Sequence, residues 1–222
     1  MREEEKTGNA IRAVIFDMDG TLTDTEKYYN RAWTEALSHF GYKVEPYMPL
    51  ELRSLGRPFV FDKFRGWFGD GFDYHTVREY RKVLVKDMID REGLDLKPGA
   101  REILSFLKEK GIRSAIATAN PLDRTMRLLD KVGLQDLFDT VICADMVTQG
   151  KPAPDIYSYA VSELGLQPSE TFAVEDSPNG VTSAYRAGCN VIMVPDLTEP
   201  DDELSKMLYA RVDTLADIKD LL

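Results

Sequence analysis

Cysteine is scarce in this chain of 222 residues: Cys143 and Cys189 are its two thiols. Each borders a short apolar run, TVIC or CNVIMV, so both are expected to be buried. Two thiols so far apart make neither a disulfide framework nor a zinc pattern, and a reducing cytoplasm is the expected setting. Basic charge is also short. Lys plus Arg number 28 against 38 Asp plus Glu, a net charge of −10. Duplex nucleic acids and anionic membrane surfaces attract basic faces, so neither is expected as a partner. No apolar run reaches the length that a membrane-spanning helix needs. The opening MREEEKTGNA is charged and carries no apolar stretch, so it is not expected to act as a secretory signal. No repeat or low-complexity tract interrupts the chain.

What is present points to a globular fold. Hydrophobic residues make up 43% and charged residues 30%, which separates the chain from disordered and fibrous classes. Five short, nearly continuous apolar runs read as strands covered on both faces: Arg12–Phe16, Ser114–Ala117, Thr140–Cys143, Thr171–Val174 and Asn190–Val194. Helical patterns lie between them. Ala100–Lys110 sets Ile103, Leu104 and Leu107 on one face. Asp123–Val132 offers Met126, Leu128 and Leu129, and Ile156–Leu164 offers Ile156, Tyr159, Ala160, Val161 and Leu164. Ser177–Ala187 is amphipathic and ends before Gly188. Alternation of strand and helix predicts an α/β fold on a parallel sheet, with ligands at the carboxyl ends of the strands.

One stretch breaks the alternation. Residues 26–96 hold no convincing strand but two helical stripes. Glu26–Phe40 carries Tyr29, Trp33, Ala36, Leu37 and Phe40, and Tyr74–Arg91 carries Val77, Tyr80, Leu84, Met88 and Ile89. The spacing predicts an all-helical insert, 26–96, within a core of 1–25 and 97–222. Its connections, Thr23–Thr25 and Leu96–Gly99, read as paired hinges in which Gly99 absorbs the backbone change. A short helix is expected over Leu215–Leu222.

Four expected strand ends carry reactive groups. Asp17 and Asp19, in DMDGTL, follow the first strand, and Gly20 permits a sharp turn between them and the next segment. Two such carboxylates can divide labour: one attacks phosphorus, the other moves a proton. A simple acidic turn or metal site is the plainer reading of the pair. Thr118 ends the second strand, and Asn120-Pro121 behind it reads as a helix N-cap with proline at the first helical position. Lys151, between Gly150 and Pro152, is a cation fixed just ahead of a helix. Glu175 and Asp176 end the fourth strand and offer hard oxygen ligands of the kind Mg²⁺ takes.

In this order the four motifs resemble the haloacid dehalogenase superfamily, and within it the β-phosphoglucomutase-like phosphatases. The resemblance covers nearly the whole chain, insert included. It implies a Rossmann-like core with strand order 5-4-1-2-3 and a helical cap. It implies Asp17 as nucleophile, Asp19 as acid and base, and Thr118 and Lys151 as further catalytic groups. Mg²⁺ would be held by Asp17, the Asp19 carbonyl and Asp176, with Glu175 near by. Backbone groups at Met18, Ala119 and Asn120 would bind phosphoryl oxygens. Leu55-Gly56-Arg57 resembles the cap segment whose arginine grips a second phosphate, which makes Arg57 a candidate substrate contact. The implied reaction is Mg²⁺-dependent hydrolysis of a small phosphorylated metabolite, such as a sugar phosphate. A sugar phosphomutase and a non-catalytic phosphate-binding protein are the rival readings. Mutases of the family carry a histidine where this chain has Tyr29, which favours hydrolysis. His39 and His75 fall elsewhere and read as surface or packing residues. The sequence leaves the physiological substrate and the oligomeric state open.

Overall fold

The structure, a computed structural model, describes residues 10–222. All but one residue of the charged opening segment therefore lie outside the described residues. Six strands form one parallel sheet in the order β3-β2-β1-β4-β5-β6. They are β1 (Ala13–Phe16), β2 (Arg113–Thr118), β3 (Thr140–Cys143), β4 (Thr171–Glu175), β5 (Asn190–Met193) and β6 (Leu208–Arg211). The implied order 5-4-1-2-3 holds, and β6 adds one edge strand beyond it. The strand β6 is short, and its residues alternate between half-buried and exposed. It therefore lacks the continuous apolar run by which the other five are recognised.

Alternation along each strand serves two helical layers. Val14, Phe16, Ile116, Phe172, Val174 and Ile192 face one way. They pack against α5 (Ala100–Lys110), α6 (Leu122–Val132) and the 3₁₀ turns at Leu215–Leu221. Ala13, Ile15, Ala115, Ala117, Ala173 and Val191 face the other way, onto α7 (Asp155–Glu163) and α8 (Pro178–Arg186). A short α9 (Asp202–Ser205) joins β5 to β6. Three residues expected on buried helix faces are exposed: Phe40, Met126 and Tyr159, at 39%, 38% and 37%. Both cysteines are free and buried, as expected. No helix among the described residues is long and apolar enough to cross a membrane.

Between β1 and α5 lie α1 (Glu26–His39), α2 (Tyr47–Glu51), α3 (Phe59–Phe68) and α4 (Tyr74–Glu92). A hydrophobic cluster of their own holds them, with Trp33, Leu37, Val60 and Phe64 buried and Phe64 stacked on Phe72 at 4.6 Å. Trp67 and Phe68 belong to this cluster. The sequence hides α2 and α3. Pro49 lies inside the first, and Gly66 dilutes the second, so neither shows a clean apolar stripe. The two connections lie side by side. Thr23 bridges Leu96, the Asp24 amide donates to the Asp95 carbonyl (2.9 Å), and that of Lys97 to the Leu22 carbonyl (2.9 Å). Gly99 is left-handed (φ +83°), but it is wedged against Ala216, where a Cβ would stand 2.3 Å from the Ala216 nitrogen. The left-handed backbone and this close approach both require glycine at the second connection.

Candidate active site

The register brings the reactive groups level. Phe16 pairs with Ile116 on one side and Val174 on the other, so the next residues, Asp17, Ala117 and Glu175, share one row at the carboxyl edge. Asp17 is 1% exposed, and its amide donates to the Val174 carbonyl (2.9 Å). Lys151 is fully buried and donates to Asp17 Oδ1 (2.5 Å), Glu175 Oε1 (2.5 Å) and the Ala117 carbonyl (3.0 Å). These three bonds use its three protons. Tyr157 closes the far side, its hydroxyl donating to Glu175 Oε1 (2.6 Å). The other oxygen of Glu175 accepts from the Asp176 amide (3.3 Å) and the Ser177 hydroxyl (3.4 Å). Gly180 makes room for this carboxylate, since a Cβ there would stand 2.0 Å from it.

Asp17 Oδ2 is buried and has no hydrogen-bond partner. One oxygen each of Asp17, Glu175 and Asp176 lie within 4.8 Å of one another. Asp176 is 1% exposed. It is free of helix capping because Ser177 does that work, accepting from the Gly180 amide at 3.2 Å. Its Oδ1 accepts from Thr21 (3.3 Å), while Arg53 binds Oδ2 and donates to the Asp176 carbonyl (3.0 Å). Gly20 (φ +83°) is obligatory here: a Cβ would lie 2.4 Å from Asp176 Oδ2.

The electrostatics are those of crowded, buried acid. Burial pushes the Asp17 carboxyl well above its usual range, opposed by Lys151 and reinforced by Glu175 and Asp176. Burial likewise pushes Asp176 up to about 6, although Arg53 pulls it down. Burial acts to lower Lys151, but Asp17 and Glu175 outweigh it and hold the ammonium above its ordinary value. An orphaned carboxylate oxygen and raised acids call for a further cation. The all-oxygen donor set fits Mg²⁺.

Asp19 faces the cavity with both oxygens held. Thr25 donates to Oδ1 (2.6 Å) and Asn120 Nδ2 to Oδ2 (2.5 Å). The expectation that Asn120 caps the following helix is thereby corrected. That helix starts at Leu122 behind Pro121 without a side-chain cap, and the Asn120 amide is spent on Asp19. Thr118 is buried at the end of β2, its hydroxyl accepting from the Asn120 amide (3.2 Å). Met18 is fully buried, whereas Ala119 and Asn120 line the cavity. Arg57 is exposed and lines its edge, and its carbonyl accepts from the Gly150 amide (2.7 Å). The Gly56 amide in turn donates to the Lys151 carbonyl (2.8 Å).

The cavity, about 270 Å³, lies between this row and the helical insert. Sequence reasoning missed four of the groups around it. Arg53 is 3% exposed and reaches from the insert to Asp176, to Thr198 (2.9 Å) and to within 3.7 Å of Glu26. Glu26 and Tyr157 are buried beside it and beside Lys151, and Arg81 is buried in the insert wall. A lone arginine or tyrosine in a helical segment gives no local signal. His75 is exposed and packs against Phe61 and Tyr74, as expected, and it also lines the cavity. Trp33 does both jobs: it is buried in the insert's cluster and touches the cavity.

A buried carboxylate–lysine row at the edge of a parallel sheet, under a helical insert, defines a hydrolytic α/β enzyme. The chain belongs to the haloacid dehalogenase-like hydrolases, whose family pattern matches residues 11–188. It is 34% identical to protein CbbY of Rhodobacter capsulatus over 86% of this chain and 89% of that one. It is 33% identical to a phosphorylated carbohydrates phosphatase of Thermotoga maritima over 80% and 82%. The crystal structure of a CbbY variant from Rhodobacter sphaeroides, in complex with xylulose-(1,5)bisphosphate, superposes with a TM-score of 0.77 at 29% identity. It covers 93% of this chain and 96% of that one.

Proposed function

We propose that the chain is a Mg²⁺-dependent phosphomonoester hydrolase that acts on small phosphorylated sugars through an aspartyl-phosphate on Asp17. The observation that carries this reading is the asymmetry of Asp17: Lys151 grips Oδ1, while Oδ2 is buried without a partner. Such an oxygen is free to attack. The names of the two relatives, and the sugar bisphosphate in the CbbY complex, favour phosphorylated sugars as substrates. Residues 26–96 act as the cap domain over a core of 10–25 and 97–222.

Each residue has a distinct task. Asp17 Oδ2 attacks phosphorus in line as the ester P–O bond breaks, and the departing oxygen takes its proton from Asp19. Thr25 and Asn120 hold the Asp19 carboxyl in one orientation for that transfer. Water then attacks phosphorus, the P–O bond to Asp17 breaks to return its carboxylate, and Asp19, ionised in the first step, takes the water's proton. Lys151 offsets charge on Asp17 and keeps it from rotating. The Thr118 hydroxyl and the amides around Met18 and Ala119 receive the phosphoryl oxygens. Asp17, Asp176 and the Asp19 carbonyl would hold Mg²⁺, which when bound offsets phosphoryl charge as a Lewis acid. Glu175 has four protein donors on its two oxygens. It therefore serves to position Lys151 and is not a direct metal ligand.

A panel of sugar phosphates, nucleotides and phosphoglycolate, assayed for phosphate release with Mg²⁺ and with chelator, tests the reading. Phosphate should appear from sugar esters in the presence of Mg²⁺ and fall at least roughly tenfold in chelator. Isomerised sugar phosphate without free phosphate would make the enzyme a mutase and overturn it. Asp176→Asn should raise the Mg²⁺ concentration for half-maximal activity at least roughly tenfold. An unchanged titration would remove Asp176 from the ligand set. A third expectation concerns cap closure. A Cβ at Gly56 would stand 2.5 Å from the Gly150 Cα, backbone against backbone. Gly56→Val should lift the cap, expose the Gly56 amide to hydrogen exchange and lower kcat/KM roughly tenfold or more. Unchanged protection and activity would show that this contact is not needed.

A further inference from the structure

One side chain of the cap holds a carboxylate that the reading above gives to the metal. Arg53 follows α2 and is 3% exposed. Its Nη2 binds Asp176 Oδ2 and donates to the Asp176 carbonyl (3.0 Å), and its Nη1 donates to the Thr198 hydroxyl (2.9 Å). Its Nε lies 3.7 Å from Glu26 Oε2 and has no hydrogen-bond partner. The same segment is tied to the core again by Asn179. That amide donates to the carbonyls of Arg53 (2.8 Å) and Glu51 (3.2 Å). Three residues after Arg53, the Gly56 amide donates to the Lys151 carbonyl (2.8 Å). Asp176 is thus a point at which the cap grips the core.

A guanidinium keeps its charge at any working pH. Here it lies in direct contact with a buried carboxylate. Both oxygens of that carboxylate already accept from protein donors, Oδ1 from Thr21 and Oδ2 from Arg53. Two cations on one buried carboxylate repel each other, because little water screens them. Each therefore weakens the hold of the other. Linkage makes the effect equal in both directions: a docked cap weakens cation binding as much as a bound cation weakens docking.

The backbone beside the grip is poised to change. Among the described residues, Ser54 is the only non-glycine residue with a positive φ (53°). A side chain in the left-handed region is strained, and the strain persists only where neighbouring contacts hold it. Those contacts are the Arg53 grip on one side and the Gly56 amide on the other. Loss of the grip frees Ser54 to relax, which favours undocking of the segment. We propose that Arg53 and Mg²⁺ compete for Asp176, so that metal loading loosens the cap from the core. The inference rests on the Mg²⁺ reading above and adds to it a link between metal and cap.

Hydrogen exchange on the wild-type protein tests it without any substitution. Saturating Mg²⁺, with no substrate, should speed exchange of the Gly56 and Gly150 amides roughly tenfold or more relative to the same protein in chelator. Amides of β1 and β4 serve as the reference and should not speed up. Calorimetric titration of Mg²⁺ reads the other direction. Arg53→Met should bind Mg²⁺ roughly five- to a hundredfold more tightly than wild type, and its Gly56 amide should exchange fast with or without the ion. If that variant does not fold, the wild-type exchange decides alone. Unchanged exchange at Gly56 and Gly150, or equal affinities in the two proteins, would overturn the competition and leave the Mg²⁺ reading standing wherever calorimetry shows binding. No Mg²⁺ binding to either protein, with phosphate release that survives chelator, would overturn the Mg²⁺ reading and the competition with it.

Discussion

Asp17→Asn is expected to lower turnover at least roughly a thousandfold while the protein stays folded. The amide has the size of the carboxylate but cannot form the acyl-phosphate. Stability should hold or rise. The carboxyl is buried and its pKa is raised above the ordinary range, so the ionised form costs stability at neutral pH. The sign follows from that direction. Above the ordinary carboxylate pKa the unfolded chain releases the proton more readily than the folded one, and a neutral amide removes this penalty. Lys151 keeps two acceptors, Glu175 Oε1 and the Ala117 carbonyl, after the change. Phosphate release assays and thermal melts on both proteins check the two halves. Near-normal turnover would refute the nucleophile, and a collapsed melt would make Asp17 structural.

Lys151→Met should be damaging in a different way. It should cost about 3–5 kcal/mol of stability together with activity, because it leaves Asp17 and Glu175 buried without their cation. Methionine fills the same space, so the loss reports charge and not a cavity. The Lys151 pKa is held above its ordinary value by the two carboxylates. Its contribution is therefore complete at neutral pH and is lost only as pH rises past the ordinary lysine range through the folded-state value. Urea unfolding of wild type and variant at pH 7 measures the difference, and equal midpoints would contradict the account. Added Mg²⁺ should restore part of the lost stability, since it offsets the charge of Asp17.

How much of this was legible beforehand follows from the range of each signal. Strands β1 to β5 are mostly buried apolar runs, and Asp17, Thr118, Glu175 and Asp176 end or follow three of them, so local pattern and motif order sufficed. Lys151 was marked by its Gly-Lys-Pro setting, but its partners were not. Nothing within ten residues of it announces contacts with Asp17, Ala117 and Glu175. Arg53, Glu26 and Arg81 were invisible for the same reason. Their meaning comes from carboxylates or rings brought near by the docking of the insert. Asn120 shows the converse error. Its local motif favours a helix cap, and a tertiary partner, Asp19, takes the side chain instead. Strand β6 and helices α2 and α3 escaped because their residues are half-exposed or interrupted by proline and glycine.

The covalent step is the centre of the account, and trapping measures it most directly. The enzyme with Mg²⁺ and a turning-over sugar phosphate is quenched during the steady state, treated with borohydride and digested. Borohydride reduces an aspartyl-phosphate at its acyl carbon but leaves a free carboxylate alone. The account predicts reduction at Asp17 in the tryptic peptide of residues 13–27, dependent on substrate and absent from Asp17→Asn. Hydrolysis that proceeds under the same conditions with Asp17 unmodified, or with the reduced site at Asp19, would contradict it.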